Sequence, residues 1–166
     1  MLFLRTIATP SPEPEVWTAC AELRSDVATV LDALTDPTLI ACWAPVSFEV
    51  DGLAGRRLRA GSRERVRGSI GGIRTVFEVE VRRADAAGLE LVASGPVELH
   101  VAYRFRERDD GVDVETAVSI LRQGGITASV LRAAVAALMN AGALRMALRR
   151  LESSLPLPAE PELLAA

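Results

Sequence analysis

The chain contains no lysine; all 19 of its basic residues are arginine. A Schiff-base lysine and a Walker-type phosphate loop are excluded, because both need the amine. Histidine occurs once, at His100, and cysteine twice, at Cys20 and Cys42. No metal site of familiar spacing and no disulfide framework is expected from so few ligands, and the two thiols read as reduced and buried. No cofactor is implied. Aromatic residues make up 4% of the chain, and no apolar run approaches the roughly eighteen residues of a membrane span. Met1-Leu2-Phe3-Leu4-Arg5 lacks the basic flank and long apolar core of a secretory signal, so the cytoplasm is the expected compartment. A net charge of −3 speaks against a nucleic-acid partner, which wants a basic surface.

What is present is a hydrophobic fraction of 49% in 166 residues, enough for one domain that buries roughly two thirds of its unfolded surface. The proline-spaced stretch Thr9 to Glu15 marks residues 1–15 as a leader, and Leu155-Pro156-Leu157-Pro158 opens a tail over 155–166. The domain is expected over 16–154. Its first strand is Val16 to Leu23, with Trp17, Ala19, Ala21 and Leu23 on one face. Ser25 or Asp26 caps a helix carrying Val27, Val30, Leu31 and Leu34, and Asp36-Pro37 turns the chain into a second short helix, Thr38 to Trp43.

A two-residue period then governs about seventy residues. Strands are predicted over 46–50, 56–66, 73–81, 89–93, 97–105 and 112–120, with a turn at Asp51-Gly52 and a hairpin at Asp109-Asp110-Gly111. The inward rows include Ser62, Glu64 and Val66, then Thr75, Phe77 and Val79, then Leu99, Val101 and Tyr103. Arg56, Arg57, Arg59, Arg63, Arg65 and Arg67 fall outward, balanced by Glu78 and Glu80 on the neighbouring strand. After Gly124-Gly125, apolar positions recur at helical spacing from Ile126 to Ser154, predicting one rod of roughly 43 Å. Its middle is rich in alanine, which leaves room between the rod and the sheet.

Three stretches carry a family likeness: Leu34-Thr35-Asp36-Pro37 followed by Trp43, then Ala60-Gly61-Ser62-Arg63, and last Ala147-Leu148-Arg149-Arg150-Leu151. In this order they resemble the SRPBCC superfamily, which groups START lipid-transfer domains, pollen-allergen-like proteins and polyketide cyclase/dehydrases. A secondary likeness, to the carbon-monoxide-dehydrogenase-subunit-G-like branch, lies in Gly71-Gly72-Ile73 and Phe77-Glu78-Val79. That branch has Cys-Ile-Pro-Gly where this chain has Cys42-Trp43-Ala44-Pro45. The resemblance implies an α+β helix-grip (START-like) fold, in which a seven-stranded antiparallel curved sheet wraps a long C-terminal helix. Two short helices follow the first strand. It also implies a small hydrophobic guest, lipid-, polyketide- or quinone-like, held between sheet and helix.

The candidate ligand-binding residues are Trp43, Phe48, Ser62, Thr75, Phe77, Leu91, Leu99, Val101, Tyr103, Thr116, Leu138 and Asn140. Arg132 or Arg145 is a further helix contribution. A Glu64 carboxylate facing an apolar cavity would have a raised pKa and could move a proton, and Tyr103 could polarise a carbonyl. These two are the candidate catalytic residues of an alternative reading, a polyketide cyclase or dehydratase. The competing structural reading pairs Glu64 with an arginine and leaves Tyr103 packed. His100 points outward and reads as a surface side chain. A third reading is an interaction module, with a homodimer as one form, presenting Leu144 or Val76.

Overall fold

The computed structural model describes residues 14–51, 57–123 and 125–156. The leader (1–13), most of the tail (157–166), Gly52, Arg56 and Gly124 lie outside the described residues. The elements run β1 (Val16–Leu23), α1 (Val27–Thr35), α2 (Pro37–Trp43), β2 (Phe48–Val50), β3 (Arg63–Ile70), β4 (Ile73–Asp85), β5 (Gly88–Ser94), β6 (Val97–Arg108), β7 (Gly111–Gln123), α3 (Gly125–Asn140) and α4 (Ala143–Ser154). The sheet is antiparallel throughout, in the order β1-β7-β6-β5-β4-β3-β2.

From β3 to β7 each strand pairs with the next in sequence. Tight turns make this possible; the β3–β4 turn uses Gly71 and Gly72, both in the left-handed region that a two-residue hairpin requires. β1 closes the far edge by returning to pair with β7. On one face the alternating rows carry the core: Ala19 and Leu23, Phe77 and Val81, Leu89 and Ala93, Val112, Val114 and Val118 are all buried.

Asp26 caps α1 by accepting from Thr29 N at 2.9 Å, and this bond holds its carboxyl below the usual value. Asp36 ends α1 and caps α2 through Thr38 N at 2.9 Å, with Pro37 in the first helical position.

Four expectations need correction. The third strand begins at Arg63, not at 56, because the chain turns at Ala60-Gly61. Gly61 N–H donates to Val81 O there, and Val81 N–H donates to Ser62 O. Both cysteines are exposed, Cys20 on the outer row of β1 and Cys42 on α2.

The single C-terminal rod is two helices, bent by 59°. Gly142 supplies the break with φ of 89°, a conformation that costs glycine little. The bend serves packing. The α3 residues Ala128, Leu131 and Val135 cover Ile70, Phe77, Val97 and Ile120. The α4 residues Leu144, Ala147, Leu148 and Leu151 cover Leu23, Val81, Leu89 and Val112 together with α1. A straight rod could not follow both halves of the curved sheet. Leu144, expected on the surface, is buried for this reason. No single helix among the described residues is long and apolar enough to cross a membrane.

Candidate functional site

Between the two packed halves lies a cavity of about 270 Å³, close to the lower end of the range for ligand clefts. The sheet supplies most of its wall. Thr75, Phe77 and Val79 come from β4, Leu91 and Ala93 from β5, and Leu99, Val101 and Tyr103 from β6. Trp43 and Phe48 close one side, and Met139 and Leu144, either side of the helix break, close the roof. Among the described lining residues none carries a charge, and Ser69, Thr75 and Tyr103 are the ones with a side-chain hydroxyl.

Each polar group on this wall has a definable state. Trp43 Nε1–H donates to Ala33 O at 2.9 Å, so the indole shows the cavity only carbon. The Trp43 and Tyr103 rings meet edge to face with centroids 6.3 Å apart. Burial pushes the Tyr103 phenol up to about 12. At neutral pH this phenol stays protonated and acts as a hydrogen-bonding group, not as a base. Thr75 Oγ1 and Thr116 Oγ1 are buried and have no hydrogen-bond partner in acceptable geometry.

Of the sequence candidates, Trp43, Phe48, Thr75, Phe77, Leu91, Leu99, Val101 and Tyr103 come together on this wall. The others do not reach it. Glu64 is on the inner face, opposite Val79, but sits only half-buried beyond the end of the cavity. Ser62 lies in the turn before β3, where its Oγ accepts from Arg59 N. Thr116 is behind Tyr103, its cross-strand neighbour. Leu138 packs under α3 against the Phe77–Val97 half of the core. Asn140 is exposed and accepts from Trp17 Nε1. Arg132 is engaged by Glu15 at 3.1 Å, and Arg145 is exposed.

Sequence reading put Val66 on the inner row without assigning it to the site, and it missed Gly68, beyond the end of the predicted third strand, as well as Met139 and Leu144. The signal for the last two was Asn140-Ala141-Gly142, a helix-stop combination inside an otherwise helical run.

The outer face of β3 carries Arg63, Arg65 and Arg67 as expected, whereas Arg57 and Arg59 precede the strand and do not stand on it. Arg63 meets Glu80 at 3.5 Å, and Arg67 grips Asp51 with two hydrogen bonds. Arg57 pairs with Asp32 across to α1. His100, also on this face, contacts Glu90 at 2.9 Å and helps hold that carboxyl below its usual value. A larger, open depression of about 780 Å³ lies outside the sheet, lined by Cys20, Glu22, Arg83, Arg104, Arg106 and Asp113 among others. Its alternating charges answer one another across the strands, so it is a solvated surface. The apolar cavity under the helix joint is the better site.

No family model matches this sequence, and no curated protein does. Solved structures do match. Protein CV1439 from Chromobacterium violaceum is 14% identical with a TM-score of 0.64, covering 86% of this chain and 98% of its own. Ara h 8.0201 is 13% identical with a TM-score of 0.54, covering 84% and 99%. DynU16, a protein in the dynemicin biosynthetic locus, is 18% identical with a TM-score of 0.53 over 85% of this chain and 48% of its own. This is the helix-grip fold. In this chain the gripped element is two helices: Gly142 divides them, and the cavity lies under the joint.

Proposed function

We propose that this helix-grip protein binds a small hydrophobic molecule, lipid-, polyketide- or quinone-like, between the sheet and the α3–α4 joint. The observation that carries the reading is the uncharged, almost wholly apolar wall. A guest gains about 25 cal/mol for each Å² of apolar surface removed from water. Its path in lies beside Ala44, Pro45, Val46 and Leu58, lining residues that are only partly buried. DynU16's origin in a biosynthetic locus suits a small organic guest. Binding is favoured over turnover because Tyr103 is the one ionisable side chain among the described lining residues.

The test is titration with the neutral fluorophore N-phenyl-1-naphthylamine, in wild type and in Ala147→Phe, which fills the cavity from α4. Saturable emission in the wild type that the variant loses while keeping its circular dichroism is the expected result. Equal signals from both proteins would defeat the reading. Native mass spectra of gently purified protein would then identify the resident guest.

A further inference from the structure

We infer that the cavity takes an elongated, uncharged guest with a hydrogen-bonding oxygen at each end, one for Thr75 and one for Tyr103. This rests on the binding reading above and specifies its ligand. The first observation is the missing counter-charge: with no charged residue among the described lining side chains, a carboxylate guest would be desolvated and unpaired. The second is the pair of orphaned hydroxyls. Thr75 is 8% exposed, lines the cavity and leaves Oγ1 without a partner. Folded proteins leave few buried polar atoms in that state, and each needs an account. Thr116, 1% exposed, leaves its Oγ1 in the same state directly across the ladder from Tyr103. Tyr103 reaches the cavity and Thr116 does not, so the phenol is the group a guest meets at that end.

Register sets the two groups apart. Val79, Ala93 and Leu99 form one inner row across β4, β5 and β6. Thr75 lies four residues to one side of that row on β4, and Tyr103 four residues to the other side on β6. Along the strands they are about 26 Å apart at ~3.3 Å per residue, with two strand spacings of about 4.8 Å across, and the sheet's curvature shortens the direct distance. Between them the wall is Phe77, Val79, Leu91, Leu99 and Val101. The arrangement is a greasy channel with the Tyr103 phenol at one end and Thr75, beside Ser69 of the neighbouring strand, at the other. A phenol and a threonine hydroxyl can each donate or accept, so alcohol and carbonyl oxygens both fit.

The experiment compares matched linear ligands by calorimetry at neutral pH: the alkane, primary alcohol, α,ω-diol and carboxylate of decane, dodecane, tetradecane and hexadecane chains. At the best length the diol should bind roughly three- to tenfold tighter than the alcohol, and the carboxylate at least about tenfold weaker. Thr75→Val, which keeps the side chain's shape, should bring the diol down to the alcohol's affinity and leave the alkane's unchanged. Tyr103→Phe should do the same from the other end. Alkane binding with no advantage for the diol, or a carboxylate that binds as well as the alcohol, overturns the inference and leaves the hydrophobic site standing. Failure of every chain to bind, the alkane included, overturns the site itself and this inference with it.

Discussion

Trp17 Nε1–H donates to Asn140 Oδ1 at 2.9 Å, joining the first strand to the last residue of α3 across 123 positions of sequence. The bond sits two residues before the Gly142 break, so it fixes where α3 stops relative to the sheet edge. It is exposed, and its net worth is that of an ordinary hydrogen bond, about 1 kcal/mol. Asn140→Ala should therefore lower unfolding free energy by about that amount. A double-mutant cycle with Trp17→Phe should return a coupling of similar size in urea titrations. A coupling near zero would mean that the bond does not tie the two elements together.

Gly142 gives the second prediction. A Cβ there would meet nothing closer than the Arg145 guanidinium at 3.6 Å, so space is not the obstacle. The obstacle is φ of 89°, which an alanine adopts at a cost of roughly 1 to 2 kcal/mol. Gly142→Ala should lower the midpoint of thermal unfolding by several degrees, and Gly142→Asn by less, because asparagine tolerates that region better. Equal midpoints for glycine and alanine would show that α3 and α4 can merge without penalty.

Most of the sheet was legible because half-buried antiparallel strands print a period of two. The inner rows Leu89-Leu91-Ala93 and Val112-Val114-Thr116-Val118 stand as the alternation places them. The same alternation assigned Glu64 to the correct face. It could not say how far along that face the cavity extends, and Glu64 falls outside it. Cys20 shows the opposite failure. It sits between Ala19 and Ala21, so the pattern points it outward, and only the general tendency of thiols to be buried argued otherwise. The helix break was hidden by composition: alanine runs on both sides of Gly142 mask a stop that its backbone angle makes plain.

The orphaned hydroxyls give a prediction about stability that is separate from recognition. Replacing Thr116 by valine removes a buried oxygen with no partner and keeps the volume, so guest-free protein should gain about 1 kcal/mol. Thr75→Val should gain a similar amount by the same reasoning. Denaturant midpoints measured on guest-free protein decide this. A loss on Thr116→Val would mean that its hydroxyl is bonded in solution, to Tyr103 or to water.

Tyr103 is the chain's one tyrosine, so its ionisation can be followed directly by phenolate absorbance. Its folded-state pKa is raised from 10.0 to about 12, chiefly by burial. A raised acid of this kind contributes stability that is complete below about pH 10 and is lost as pH climbs from there towards 12. Two units correspond to about 2 to 3 kcal/mol. Wild-type protein should lose roughly that much unfolding free energy over this window beyond what Tyr103→Phe loses, since both share every other titrating group. The native absorbance midpoint should lie near 12 and fall to about 10 in urea. Binding a guest that accepts a hydrogen bond from the phenol should push the native midpoint higher still, because ionisation would break that bond. A native midpoint near 10 would put the phenol in water, and the cavity would lose its polar end.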